Sequence, residues 1–232
     1  MRESAMFKDL SAYFEAWSNE IVKRAAAQYG TKTAFKADSG LVSDDDLQKL
    51  FQVILRHINS GALSGVDGGS DTLDDLFGFS MDWTGTNTQA SIWAGKHSGD
   101  LVTQIGKTNR QAINQAVKQY IDGAQTFGEL QANLTRIVKS PERAATIAQT
   151  EITRSFAKGN TLAWSDSGIV QGKQWQTNND EIVCPRCNER DKRIVGIDES
   201  FGTNVFDEEE LEPPDHPACR CWLVPVSTYR KR

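Results

Sequence analysis

Residues 184–187 read C-P-R-C, and residues 216–226 read H-P-A-C-R-C-W-L-V-P-V. Between them they hold every cysteine of the chain, Cys184, Cys187, Cys219 and Cys221, with His216 beside the second pair. A C-x-x-C turn presents two thiolates to one ion, and zinc in a structural site takes four sulfur or imidazole ligands in a tetrahedron. The spacing therefore predicts metal ligation by Cys184, Cys187 and two of His216, Cys219 and Cys221. Cys219 and Cys221 are two apart, which on a strand would turn both side chains to one side. His216 then competes for the fourth place or supports a ligand from behind. A site closed by four protein ligands leaves no position for water, so the expected zinc is structural rather than catalytic. Two disulfides or buried free thiols are the competing readings. A disulfide-stapled secreted chain would spread its cysteines through a much shorter sequence.

The segments around these motifs read as short strands. In G-K-Q-W-Q-T (172–177), Lys173, Trp175 and Thr177 alternate with two glutamines, the pattern of a half-exposed strand. Ile194-Val195 predicts a second strand and Trp222-Leu223-Val224 an apolar return. The acidic run 207–210 and Pro213-Pro214 lie between them as an irregular excursion.

Upstream, the period changes to that of helices. Met6, Leu10, Phe14, Trp17 and Ile21 recur at spacings of three and four, with Gly30 as a stop. Ser43 followed by Asp44, Asp45 and Asp46 reads as a cap plus acidic first turn before the stripe from Leu47 to Ile58. From Ser60 to about Asn87 the glycines at 61, 65, 68 and 69 predict a linker or long loop. Further on, Thr126 with Glu129 forms a capping box and Ser140-Pro141 restarts a helix that ends before Gly168. The expected architecture is α+β: a helical region over 1–59, a loop and re-entry over 60–99, further helices over 100–168, and a small zinc-stabilised β subdomain over 169–232.

The 232 residues are 38% apolar and 25% charged, a soluble globular balance. Mean hydropathy is -0.50, and no apolar run approaches the ~20 residues of a spanning helix, so no membrane partner is expected. Net charge is -5, but residues 101–160 carry 8 basic against 4 acidic side chains, a local +4. Lys107, Arg110, Lys118, Arg136 and Lys139 in that segment are candidate contacts to DNA phosphates or to an acidic protein face; a solvated helix surface is the plainer alternative. Glu151, in A-Q-T-E with Arg143 before it and Arg154 after it, is expected to be a polar anchor rather than a catalytic base. No second carboxylate, nucleophile elbow or phosphate loop stands at diagnostic spacing. An enzyme with a small-molecule substrate is therefore not expected.

The ordered combination R-A-A-T-I-A-Q-T-E-I-T-R (143–154), G-K-Q-W-Q-T (172–177), C-P-R-C (184–187) and P-P-D-H-P-A-C-R-C-W-L-V-P-V (213–226) resembles the head morphogenesis domain of phage Mu F-like minor head proteins. The resemblance covers roughly 100–226. It implies a minor component of a tailed phage or prophage particle, present in the virion and in the host cytoplasm during assembly. Its implied partners are the portal, other head proteins and packaged DNA. The competing activity is a metal-dependent nuclease built on the zinc knuckle, with His216 as general base.

Overall fold

The computed structural model describes residues 2–30, 38–205, 209 and 211–228. Asp207, Glu208 and Glu210 of the acidic run lie outside the described residues. The helices are α1 (Arg2–Tyr29), α2 (Asp44–Phe77), α3 (Thr84–Ile121), α4 (Phe127–Val138), α5 (Pro141–Ser167) and the short α6 (Pro185–Arg190). The strands β1 (Gly172–Gln176), β2 (Ile194–Gly196) and β3 (Trp222–Val226) form one antiparallel sheet in the order β2-β1-β3. The chain is thus a mainly helical body followed by a small antiparallel sheet, with a Cys/His cluster in the segments between its strands. Among the described residues, no helix is long and apolar enough to cross a membrane.

Two compact units interleave along the chain: Glu3–Arg56 with Lys96–Ala145, and His57–Gly95 with Thr146–Arg232. In the first, the α1 stripe of Met6, Leu10, Phe14, Trp17 and Ile21 is buried as its spacing requires. Leu50 and Ile54 of α2, Ile113 and Val117 of α3, and Leu130, Leu134 and Val138 of α4 are buried in the same unit. Its helix ends are closed by the expected caps. The Ser43 hydroxyl accepts from the Asp46 N–H at 3.2 Å while Asp46 accepts from the Ser43 N–H at 2.9 Å. Thr126 and Glu129 form the reciprocal capping box, and the Ser140 hydroxyl accepts from the Arg143 N–H at 3.2 Å.

The second unit overturns the expected loop. Residues 60–77 complete α2 and 84–99 begin α3, so only 78–83 of the 60–99 segment connects helices. The glycines serve close approach instead of turning. A Cβ on Gly159 of α5 would lie 2.1 Å from the Ala62 carbonyl oxygen and 2.7 Å from the Gly65 Cα. A Cβ on Gly65 would lie 2.2 Å from the Phe156 carbonyl oxygen, and one on Gly69 would lie 2.9 Å from the Ala163 Cβ. Bare backbone on both helices lets α2 and α5 touch, and the lost helix propensity, about 1 kcal/mol per glycine, is offset by that contact. On α3, the buried Thr86 hydroxyl donates to Asp166 of α5 at 2.6 Å.

The sheet packs on a second core of Leu73, Trp164, Val170, Trp175, Phe201 and Leu223, into which Cys187, Cys219 and Cys221 also project. β1 differs from the half-exposed strand expected from its alternation: both faces are covered, with Lys173, Trp175 and Gln176 all buried. Phe201 closes one side, its ring centroid 5.1 Å from that of Trp175 and 6.0 Å from Lys173 Nζ. Burial pushes the Lys173 ammonium below the ordinary lysine range.

Candidate metal centre

Each half of the centre is a turn that spaces two donors three residues apart. In the first, Cys184 caps α6: its backbone is extended (φ -71°, ψ 156°), its sulfur accepts the Cys187 N–H at 3.4 Å, and Pro185 fills the first turn. In the second, the Cys219 N–H donates to the His216 carbonyl oxygen at 3.1 Å. Pro217 occupies the second position of that turn and Ala218 the third, where φ is 59°. Proline followed by a left-handed residue is the signature of a type II turn, whose third position favours glycine. The strain at Ala218 is held by α5. The Thr150 hydroxyl accepts the Ala218 N–H at 3.0 Å, and the Gln149 side-chain amide donates to the Ala218 carbonyl at 3.4 Å.

Asp215 joins the two turns. Its fully buried carboxylate accepts from Arg186 at 3.0 and 3.1 Å and from Arg190 at 2.6 Å. Both arginines also donate to the Thr203 carbonyl, at 2.6 and 2.7 Å. The Arg190 guanidinium lies 5.3 Å from the Trp175 ring centroid, so the pair is packed as well as hydrogen-bonded. The residue just before His216 is therefore fixed to the helix that Cys184 starts.

The donors converge accordingly. Cys184 Sγ and Cys187 Sγ lie 3.2 and 3.3 Å from His216 Nε2, and Cys187 Sγ lies 3.7 Å from Cys219 Sγ. Two overlapping groups result, Cys184–Cys187–His216 and Cys187–Cys219–Cys221, with all donor atoms of each group within 4.8 Å of one another. His216 Nδ1 is 2.9 Å from the Pro217 carbonyl oxygen, so a proton on Nδ1 is bound there and the Nε2 lone pair faces the thiols. The five donors are among the residues that line a small cavity of about 30 Å³. All four cysteines are free. The electrostatics favour a shared negative charge. Hydrogen bonds from the Cys187 and Cys221 side chains, with the N–H groups of Cys221 and Asp215, hold the Cys219 thiol far below its ordinary range; the Cys219 and Cys221 side chains and burial push Cys187 up.

The residues fit zinc. Zn–S bonds of about 2.3 Å in a tetrahedron place sulfurs about 3.8 Å apart, against the 3.7 Å found between Cys187 and Cys219. The expectation that Cys219 and Cys221 converge from a strand is corrected: β3 begins at Trp222, and both cysteines lie in the segment before it. Sequence reasoning missed Gln149, Thr150, Arg186, Arg190 and Asp215. The first two stand beside Glu151 in A-Q-T-E, where the carboxylate drew attention away from the residues that grip the turn.

Residues 111–224 match the family model described as Phage Mu protein F like protein. The chain carries a phage Mu F-like domain. Comparison with curated proteins and with solved structures gave no match. The F-like domain takes in the end of α3, all of α4, α5 and α6, most of the sheet and all five candidate ligands.

The remaining predicted residues are dispersed. Arg143 donates to Asn109 at 2.6 Å, and burial holds its guanidinium below the ordinary arginine range. Glu151 is buried with Arg154 Nε 3.6 Å away. Of the five basic candidates, Arg110 pairs with Asp44 at 3.0 Å, Lys118 with Asp122 at 2.6 Å and Lys139 with Glu15 at 2.6 Å, while Arg136 donates to Asn133 at 2.6 Å. Lys107 is exposed.

Proposed function

We propose that the chain is a minor head protein of a tailed bacteriophage or prophage, acting in head morphogenesis through contact with the portal or its neighbours in the head. The observation that carries this reading is the match of 111–224 to the F-like family. In the same proposal, zinc held by Cys184, Cys187 and two of His216, Cys219 and Cys221 locks the β subdomain; Arg143 and Glu151 act as internal anchors. The protein works in the particle, reached from the host cytoplasm.

Lys107, Arg110, Lys118, Arg136 and Lys139 are proposed as the contact to an acidic portal face in preference to DNA. Three of them already face carboxylates. Exposed pairs of this kind are worth only about 0–1 kcal/mol, so a partner's carboxylates can replace them at small cost. The nuclease reading is disfavoured because both ring nitrogens of His216 face protein groups, two thiols and a carbonyl, leaving none for a general base.

The test is co-purification. Tagged full chain, expressed with the phage structural genes, is expected to capture the portal or another head protein and to be found in purified particles. Absence from both would overturn the proposal. Charge reversal at Lys107, Arg110 and Lys139 together is expected to weaken capture, and an unchanged yield would remove the basic contact from it.

A further inference from the structure

Five donors surround a centre with four places. Resting on the zinc reading above, we propose that Cys184 Sγ, Cys187 Sγ, His216 Nε2 and Cys219 Sγ hold a single zinc ion, and that Cys221 remains a packing thiol outside the coordination sphere.

Three observations carry this assignment. First, three short donor–donor contacts fall within the chosen four: 3.2 Å for Cys184–His216, 3.3 Å for Cys187–His216 and 3.7 Å for Cys187–Cys219. Tetrahedral zinc requires about 3.5 Å between sulfur and nitrogen and about 3.8 Å between sulfurs. Cys221 is grouped with Cys187 and Cys219 on the same 4.8 Å criterion that groups Cys184, Cys187 and His216, so it is a near neighbour of two of the four and its exclusion rests on the short edges above and on the turns below.

Second, the four belong to two turns of the same span. Cys184 and Cys187 are three apart across a cap, and His216 and Cys219 are three apart across the Pro217–Ala218 turn. Each turn supplies two donors, and the Asp215–Arg186 and Asp215–Arg190 bonds fix one turn against the other. Two such paired turns make a Cys3His site, a familiar closed combination for structural zinc.

Third, Cys221 is placed by the sheet rather than by a turn. It immediately precedes Trp222, the residue of β3 that pairs with Gln176 of β1. On its other side, Arg220 donates to Asp180 at 2.7 Å. Its side chain shares the core with Trp175, Val195 and Leu223 as well as with Cys187 and Cys219.

The experiment uses full-length protein purified without chelator, with zinc counted by elemental analysis and cobalt(II) substituted for spectroscopy. One ion per chain is expected, and the sulfur-to-cobalt charge-transfer absorption of the unsubstituted chain should correspond to three thiolates. Cys221→Ser and Cys221→Ala should keep one ion, the same cobalt spectrum and an affinity within about threefold of the parent. Cys219→Ser and His216→Ala should each lose at least tenfold in affinity, the latter with three thiolates retained in any residual cobalt spectrum. A four-thiolate spectrum in the unsubstituted chain overturns the assignment without needing any variant, as does loss of the ion from both Cys221 variants. An unsubstituted chain that takes up no zinc or cobalt refutes the zinc reading itself, a different and recognisable outcome.

Discussion

Arg190 Nη1 lies 2.6 Å from Asp215 Oδ1, with the carboxylate fully buried and one residue removed from His216. The ion pair is thus both a core contact and the brace of the turn that carries His216 and Cys219. Asp215→Asn keeps the shape but leaves Arg190 with an uncompensated buried charge, which costs about 3–5 kcal/mol. Residues that orient metal ligands typically cost ~10–100-fold in affinity when changed. The expected result is a lower denaturation midpoint together with weaker retention of zinc against a competing chelator. A variant that loses stability with zinc affinity intact would make Asp215 a core residue only.

A milder change separates the turn from the core. Thr150→Val removes the acceptor of the Ala218 N–H while keeping the side chain's volume. The expected loss is about 1 kcal/mol, the usual net worth of one hydrogen bond. Chelator-driven zinc release should also become faster. Urea unfolding and a zinc-release time course measure the two effects.

Removing the ion should be felt locally first. Binding at 100-fold above its dissociation constant adds about 2.7 kcal/mol to the folded state. Chelation is expected to strip hydrogen-exchange protection from β1, β2 and β3 while α1 keeps its own. Uniform loss along the chain would mean that the ion stabilises more than the sheet. Zinc retention should also fail on acidification, because the ligand thiolates must be unprotonated to bind.

Asp46 gives the acid limb of stability. Burial alone would raise its carboxyl, but the Arg24 guanidinium and the N–H and hydroxyl of Ser43 outweigh that and hold it below the ordinary aspartate range. A carboxylate lowered on folding contributes stability above its unfolded value, about 3.9, and that contribution is lost as pH falls through the folded value. Asp46→Asn should therefore cost most at pH 7 and least near pH 3. Unfolding midpoints at pH 7, 5 and 3 test this, and an equal loss at all three would contradict it.

The glycines divide into two kinds with opposite responses to a methyl group. Gly159→Ala drives a Cβ to 2.1 Å from the Ala62 carbonyl and should destabilise by about 1–3 kcal/mol despite alanine's better helix propensity. Gly95 and Gly99 lie in α3 with nothing within 4 Å of an added Cβ. Alanine there should stabilise by roughly 0.4–1 kcal/mol. Thermal melts of the three single variants decide the matter, and stabilisation by all three would remove the close α2–α5 contact.

What the sequence made legible followed from rarity or from period. Four cysteines in two short windows could hardly be read as anything but a cluster, and the α1 stripe from Met6 to Ile21 is buried because its spacing matches a helical turn. Caps at Ser43, Thr126 and Ser140 were readable because their hydrogen bonds span only three residues. Gly61 to Gly69 was misleading, since a missing side chain serves a turn and a close helix contact equally well, and the deciding partner, Gly159, lies far along the chain. Asp215 was invisible for a related reason. Its arginines sit 25 and 29 residues away, and no local pattern marks an acid that will be buried between them.

Trp164 and Trp175 are packed in the same cluster as Cys187, Cys219 and Cys221. Sulfur quenches indole emission according to distance and charge, so an ion bound by the thiols is expected to change the emission of these two indoles. Trp164 and Trp175 are thus the natural reporters for a titration of the centre in unlabelled protein.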